Sequence, residues 1–126
     1  MDTEHPTRLL LVEDEFLVRL TLGEALRDEG YDVIEAGTAD EALQRLEEGL
    51  VRLMLTDIQL PGSMDGRGLV RRVRETLPEL PVIFMTGRPE TMGGATRTAH
   101  EAFIAKPYLP SDVVATVARL IGASAK

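Results

Sequence analysis

"LMLTDIQLPG", residues 53–62, carries an apolar run up to a single carboxylate, Asp57, and then breaks at Pro-Gly. A carboxylate at the end of a buried strand is costly unless something offsets its charge. Asp57 is therefore either a loop cap or a group held in place for chemistry. What the neighbouring segments end in decides between the two.

Working outward, "VRLMLTD" (51–57) is one of a set of short apolar runs. The others are "RLLLVED" (8–14), "YDVIEAG" (31–37), "LPVIFMTG" (80–87) and "AFIAKP" (102–107). They are continuous rather than alternating, the pattern of strands buried on both faces. Between them lie stretches of helical spacing. "EFLVRLTLGEALRDEG" (15–30) puts Val18, Leu22, Ala25 and Leu26 on one face and stops at Gly30. Thr38 or Asp40 can cap "ADEALQRLEEG", whose inner stripe is Ala42, Leu43 and Leu46. "GRGLVRRVRETL" (66–77) is a third helix ended by Pro78. The last helix begins near "PSD" (110–112), with Ser111 as N-cap, and runs through Val113, Val114, Val117 and Leu120. In "RPETMGGATRTAHE" (88–101) the Gly93-Gly94 pair costs about 1 kcal/mol per glycine relative to alanine. A short, frayed fourth helix is expected there. The β-α alternation predicts one α/β domain over residues 1–126, with its core at about 8–122, and a parallel sheet covered on both faces.

Composition sets outer limits. A chain of 126 residues, 44% hydrophobic and 28% charged, has the make-up of a globular domain with a real core. No apolar run reaches the roughly 20 residues of a membrane span, and "MDTEHPTR" lacks the apolar stretch of a signal peptide. With no cysteine, disulfide and thiolate chemistry are excluded, which suits the cytoplasm. A formal charge of −7 argues against direct nucleic-acid binding. No membrane contact is expected either.

Ligands of an open parallel sheet bind beyond the carboxyl ends of its strands. There the sequence places Glu13, Asp14 and Glu15 after the first strand, Asp57 after the third, Thr86-Gly87 after the fourth and Lys106-Pro107 after the fifth. Clustered acids repel unless a cation joins them, and an all-oxygen set suits Mg²⁺. A hydroxyl and an ammonium are the donors that phosphoryl oxygens need.

On "VEDE", "LTDIQLPGSMDG", "FMTG" and "AKPY" the chain resembles the receiver domains of response regulators in bacterial two-component signalling. The likeness covers about residues 8–122, in family order and near family spacing. It implies a flavodoxin-like, doubly wound sheet of order 2-1-3-4-5. It further implies a cytoplasmic phosphoprotein in which Asp57 accepts a phosphoryl group from a histidine kinase, a phosphotransfer protein or a small acyl phosphate. Mg²⁺ would be held by Asp14, Asp57, the backbone carbonyl of Gln59 and, through water, Glu13. Thr86 and Lys106 would bind the phosphoryl oxygens. Thr86 and Phe103 would form the switch, and Lys106-Pro107 would be cis. The output would be a protein contact on the face of the fourth helix, fifth strand and last helix, or relay of the phosphate to another protein. The domain would stand alone, as a monomer or a phosphorylation-dependent dimer, without turnover catalysis. The loop "QLPGSMDG" is one residue longer than the family's usual pattern.

Two alternatives remain in view: a binding-only module on the same fold, and a small Mg²⁺-dependent phosphohydrolase. The second normally needs an acid two residues after its nucleophile, where Gln59 stands. A flavin-binding reading lacks a phosphate-cradling loop after the first strand. Arg67, Arg71 and Arg74 recur at helical spacing and read as a solvated face. His5 and His100 have no partners at metal-ligand spacing. Helical geometry, with Val18, Leu22 and Ala25 inward, puts Phe16 and Leu20 on the far side as a candidate docking pair for the phosphodonor protein.

Overall fold

The structure is a computed structural model and describes residues 7–88 and 100–124. Five strands, β1 (Arg8–Val12), β2 (Asp32–Ala36), β3 (Leu53–Asp57), β4 (Val82–Thr86) and β5 (Glu101–Ala105), form one parallel sheet of order β2-β1-β3-β4-β5. Four helices are described: α1 (Phe16–Asp28), α2 (Ala39–Glu48), α3 (Gly66–Val73) and α4 (Pro110–Ser124). This is the flavodoxin-like arrangement expected from the sequence. The expected helix within 88–101 falls on residues 89–99, which lie outside the described residues, as does His5.

The continuous apolar strands follow from burial on both faces. Leu10, Val12, Met54, Val82 and Phe84 point to the side packed by Ala39 and Ala42 of α2 and Leu69, Val70 and Val73 of α3. Their strand neighbours Leu9, Leu11, Leu53, Leu55, Ile83 and Met85 point to the opposite side. There Leu22 and Leu26 of α1 and Val113, Val117 and Leu120 of α4 cover them. Val18 and Ala25, expected inward, are only half-buried.

Helix ends follow local chemistry. Gly30, at φ +99°, ends α1 in a Schellman turn: its N–H donates to Arg27 O and that of Tyr31 to Leu26 O. The Thr38 hydroxyl caps α2 by accepting from Glu41 N at 3.0 Å. Two boundaries differ from the sequence reading. α3 ends at Val73, because the chain tightens to three-residue bonds (Glu75 N to Arg72 O, Thr76 N to Val73 O) well before Pro78. α4 starts at Pro110, whose missing N–H costs nothing in a first turn, so Ser111 lies inside the helix rather than capping it. No helix among the described residues is long and apolar enough to cross a membrane.

Candidate functional site

The strand order makes β1 and β3 neighbours, with Val12 beside Thr56, so the residues that follow meet at the reversal point of the sheet. Glu13 and Asp57 are buried there, at 1% and 3% exposure, while Asp14 stands exposed at the rim. One carboxylate oxygen from each of Glu13, Asp14 and Asp57 can be chosen so that all lie within 4.8 Å of one another. Lys106 arrives from the end of β5. Its Nζ donates to Asp57 Oδ2 at 2.8 Å and to Glu13 Oε1 at 3.0 Å. The other Glu13 oxygen accepts from Glu15 N at 3.0 Å. The Lys106-Pro107 bond is cis.

The electrostatics follow from crowding. Burial pushes the Asp57 carboxyl up to about 7; the hydrogen bond from Lys106 works against this and Glu13 adds to it. Burial acts the same way on Glu13, but the Glu15 amide, then Asp57 and Lys106, outweigh it and hold its pKa low. Burial opposes the charge on Lys106, yet its bonds to Asp57 and Glu13 leave its pKa raised. Three acids beside one ammonium leave an excess of negative charge on an all-oxygen donor set. That is the chemistry that fits Mg²⁺.

Thr86, fully buried at the end of β4, uses its hydroxyl within the site's own loops. Its Oγ1 lies 3.0 Å from Gln59 Oε1 and 3.2 Å from Arg88 O, the two acceptors for its proton, and accepts from Arg88 N at 2.9 Å. The sequence singled out Gln59 for its backbone carbonyl; the structure adds a role for its side chain. Phe103, half-buried on β5, stacks on Phe84 with ring centroids 5.0 Å apart. The Arg67 guanidinium lies over both rings, at 5.6 and 5.7 Å.

The arginines of α3 and its C-cap, Arg74, are thus not one solvated face. Arg67 covers the aromatic pair and Arg74 pairs with Glu101 at 3.2 Å, while Arg71 and Arg72 are exposed. Gly66 shows why the loop closes as it does. A Cβ there would fall 2.0 Å from Asp57 O, so only glycine lets α3 abut the backbone of the strand end.

The candidate docking pair separates. Phe16 is 61% exposed, Leu20 is half-buried, and the exposed neighbour of Phe16 is Leu17, at 72%. The reason is axial. Phe16 shares the face of buried Gly23, seven residues on, but opens the helix, whose buried residues begin only at Leu22. Leu17 lies on the outward face with Thr21 and Glu24. It borders a cavity of about 600 Å³ between α1 and the chain after β5, lined by Val18, Leu22, Lys106, Pro107 and Tyr108.

Residues 9–118 match the response regulator receiver domain. The chain belongs to this family. Among its relatives, the transcriptional activator protein ExaE of Pseudomonas putida is 37% identical over 123 residues, covering 93% of this chain and 56% of the relative. The aerobic respiration control protein ArcA of Escherichia coli K12 is 34% identical over 123 residues, covering 96% of this chain and 50% of the relative. The chain spans about half the length of these two relatives. Among solved structures, a CheY-like receiver domain protein from Methanospirillum hungatei superposes with a TM-score of 0.81 at 28% identity, covering 94% of this chain and 96% of that one. The receiver domain of NtrX from Brucella abortus gives 0.79 at 32% identity, covering 90% and 98%. This receiver carries the acidic pocket of Glu13, Asp14 and Asp57.

Proposed function

We propose that this receiver is a phosphoacceptor switch in which the Asp57 carboxylate takes a phosphoryl group from a phosphohistidine of a histidine kinase or phosphotransfer protein, or from a small acyl phosphate. The observation that carries the reading is the contact of Lys106 Nζ with Asp57 Oδ2 at 2.8 Å, beside two further carboxylates. An Asp57 oxygen attacks phosphorus; the new O–P bond forms as the donor's N–P or O–P bond breaks, and the departing imidazole or carboxylate keeps the electron pair. Lys106 neutralises charge on the phosphoryl oxygens, and Thr86 donates its hydroxyl proton to one of them after leaving Gln59 and Arg88. Glu13, Asp14, Asp57 and the Gln59 carbonyl are the groups to hold Mg²⁺. When bound, the ion supplies further positive charge beside the phosphoryl oxygens. Thr86 and Phe103 carry the change outward to a protein target, on the face that includes β5 and α4. The phosphoryl group is lost slowly to water, and no other substrate is turned over. Leu17, which borders the cavity beside Lys106, and its exposed neighbour Phe16 are the surface for the phosphodonor protein in the cytoplasm.

The test is intact mass after incubation with acetyl phosphate, with and without Mg²⁺, beside Asp57→Asn. A single phosphoryl adduct that requires both the metal and Asp57 is expected, with Lys106→Ala slowing its formation by about 100-fold. An adduct that survives in Asp57→Asn overturns the assignment. No adduct from either acetyl phosphate or a kinase favours the binding-only module, and multiple turnover of phosphomonoesters favours the hydrolase.

A further inference from the structure

Arg19 belongs to no group discussed so far, yet its side chain is only 18% exposed. It leaves the first turn of α1, lies over the Phe16 ring at 5.6 Å, and makes two directed hydrogen bonds. Its Nε donates to Glu35 Oε1 at 3.1 Å, and its Nη1 donates to Glu13 O at 2.7 Å. The second acceptor is the carbonyl of the peptide that joins Glu13 to Asp14. The N–H of Glu13 is also committed, to Ala36 O at 3.0 Å. The backbone of Glu13 is therefore fastened at both ends, by β2 on one side and by Arg19 on the other. Asp14 has no such support. Its exposed carboxylate makes no hydrogen bond among the described residues, so its direction depends on the peptide that Arg19 holds.

Glu35 is itself fixed. Its second oxygen accepts from Arg27 Nη2 at 2.9 Å, and the same nitrogen donates to Val33 O at 2.9 Å. Two glycines leave room for this network. A Cβ on Gly37 would come within 3.3 Å of Arg19 Nη1, and one on Gly23 within 3.2 Å of Glu35 Oε2. A partly buried guanidinium with two acceptors at short range, seated where neighbouring positions lack side chains, is held in one orientation.

We propose that Arg19 is a positioning residue for the metal site, orienting the Glu13–Asp14 peptide so that both carboxylates converge with Asp57. The proposal rests on the reading of those acids as a Mg²⁺ site. It makes a prediction opposite in sign to simple electrostatics. Removing a cation near an acidic cluster strengthens cation binding. Losing an outer hydrogen bond that orients ligands weakens it, by 10–100-fold in characterised metal sites.

Calorimetric titration of the whole chain with MgCl₂, without phosphodonor, separates the two. Arg19→Met should weaken Mg²⁺ binding by about tenfold or more. Arg19→Lys keeps the charge but not the fork that reaches both acceptors. It should weaken binding severalfold, and it serves alone if Arg19→Met fails to fold by circular dichroism. Binding as tight as wild type or tighter in a folded variant overturns the proposal. Asp14→Ala calibrates the loss of a direct ligand. If wild type binds no Mg²⁺ at millimolar concentrations, the metal reading itself falls, a result distinguishable from failure of the Arg19 inference.

Discussion

Asp57 is ionised only with difficulty where it stands, and this has a measurable consequence. Its folded pKa, about 7, lies above the ordinary aspartate value of 3.8. The folded state therefore binds a proton that the unfolded chain has released between those limits. Its contribution to stability is complete below pH 3.8, declines as pH rises towards 7, and is gone above it. Glu13 runs the other way: its lowered pKa makes its contribution present above 4.5 and lost as pH falls through its folded value. The two effects separate in a difference curve. In metal-free buffer, Asp57→Asn should gain stability on wild type between pH 5 and 8, by about 1–3 kcal/mol at the upper end. Urea unfolding across that range measures it. A variant less stable than wild type at pH 8 shows that the Lys106 contact outweighs burial and repulsion. At this scale the sequence announced Asp57, Glu13, Asp14, Thr86 and Lys106 because each ends or follows a strand. It did not announce Arg19 or the Gln59 side chain. Their contacts join residues of separate elements through bonds that no local spacing encodes.

Elements explain which glycines near the site carry weight. Gly66 opens α3 against the backbone of Asp57, where an added methyl would overlap the carbonyl oxygen, whereas a Cβ on Gly87 would meet nothing within 4 Å. Gly66→Ala should therefore destabilise the protein by about 1–3 kcal/mol, the range of overpacking in a close-packed interior. It should also slow phosphorylation, because the β3–α3 junction must shift. Gly87→Ala should stay within about 0.5 kcal/mol of wild type. Thermal melts and acetyl phosphate labelling of the two variants make the comparison, and equal behaviour refutes the assigned packing. Strands and helices themselves were legible from periodicity. Their ends were legible where a cap or stop residue acts locally, as Thr38 and Gly30 do. The early end of α3 was not, since it follows from a tightening of backbone bonds after Val73 rather than from Pro78. Nor was the split among its arginines. Helical spacing puts Arg67 and Arg74 on one stripe, but Phe84, Phe103 and Glu101 come from β4 and β5.

For the molecule as a whole, the two-sided core leaves the strand ends as a charged rim and places apolar groups beside it. Phe16, Leu17 and Leu109 are each more than half exposed, although the chain carries a formal charge of −7. Isolated surface hydrophobes are common. Leu17, however, borders the cavity that also touches Lys106, which brings a partner seated there within reach of the acceptor. Phosphoryl transfer from a protein depends on two steps: docking, which this surface sets, and chemistry, which Asp57 and Lys106 set. A small acyl phosphate needs only the second. Phe16→Glu with Leu17→Glu should thus slow transfer from a phosphorylated histidine kinase by about tenfold or more, the scale of losing one or two apolar anchors. Labelling by acetyl phosphate should fall far less, and only through the contact of Phe16 with Arg19. The original pair, Phe16→Glu with Leu20→Glu, is the informative control. Leu20 is half-buried, so its charge should cost thermal stability as well as transfer. If the Phe16/Leu17 variant keeps the wild-type rate with its kinase, the phosphodonor approaches by another face. If both donors slow equally, these residues support the site itself rather than the partner.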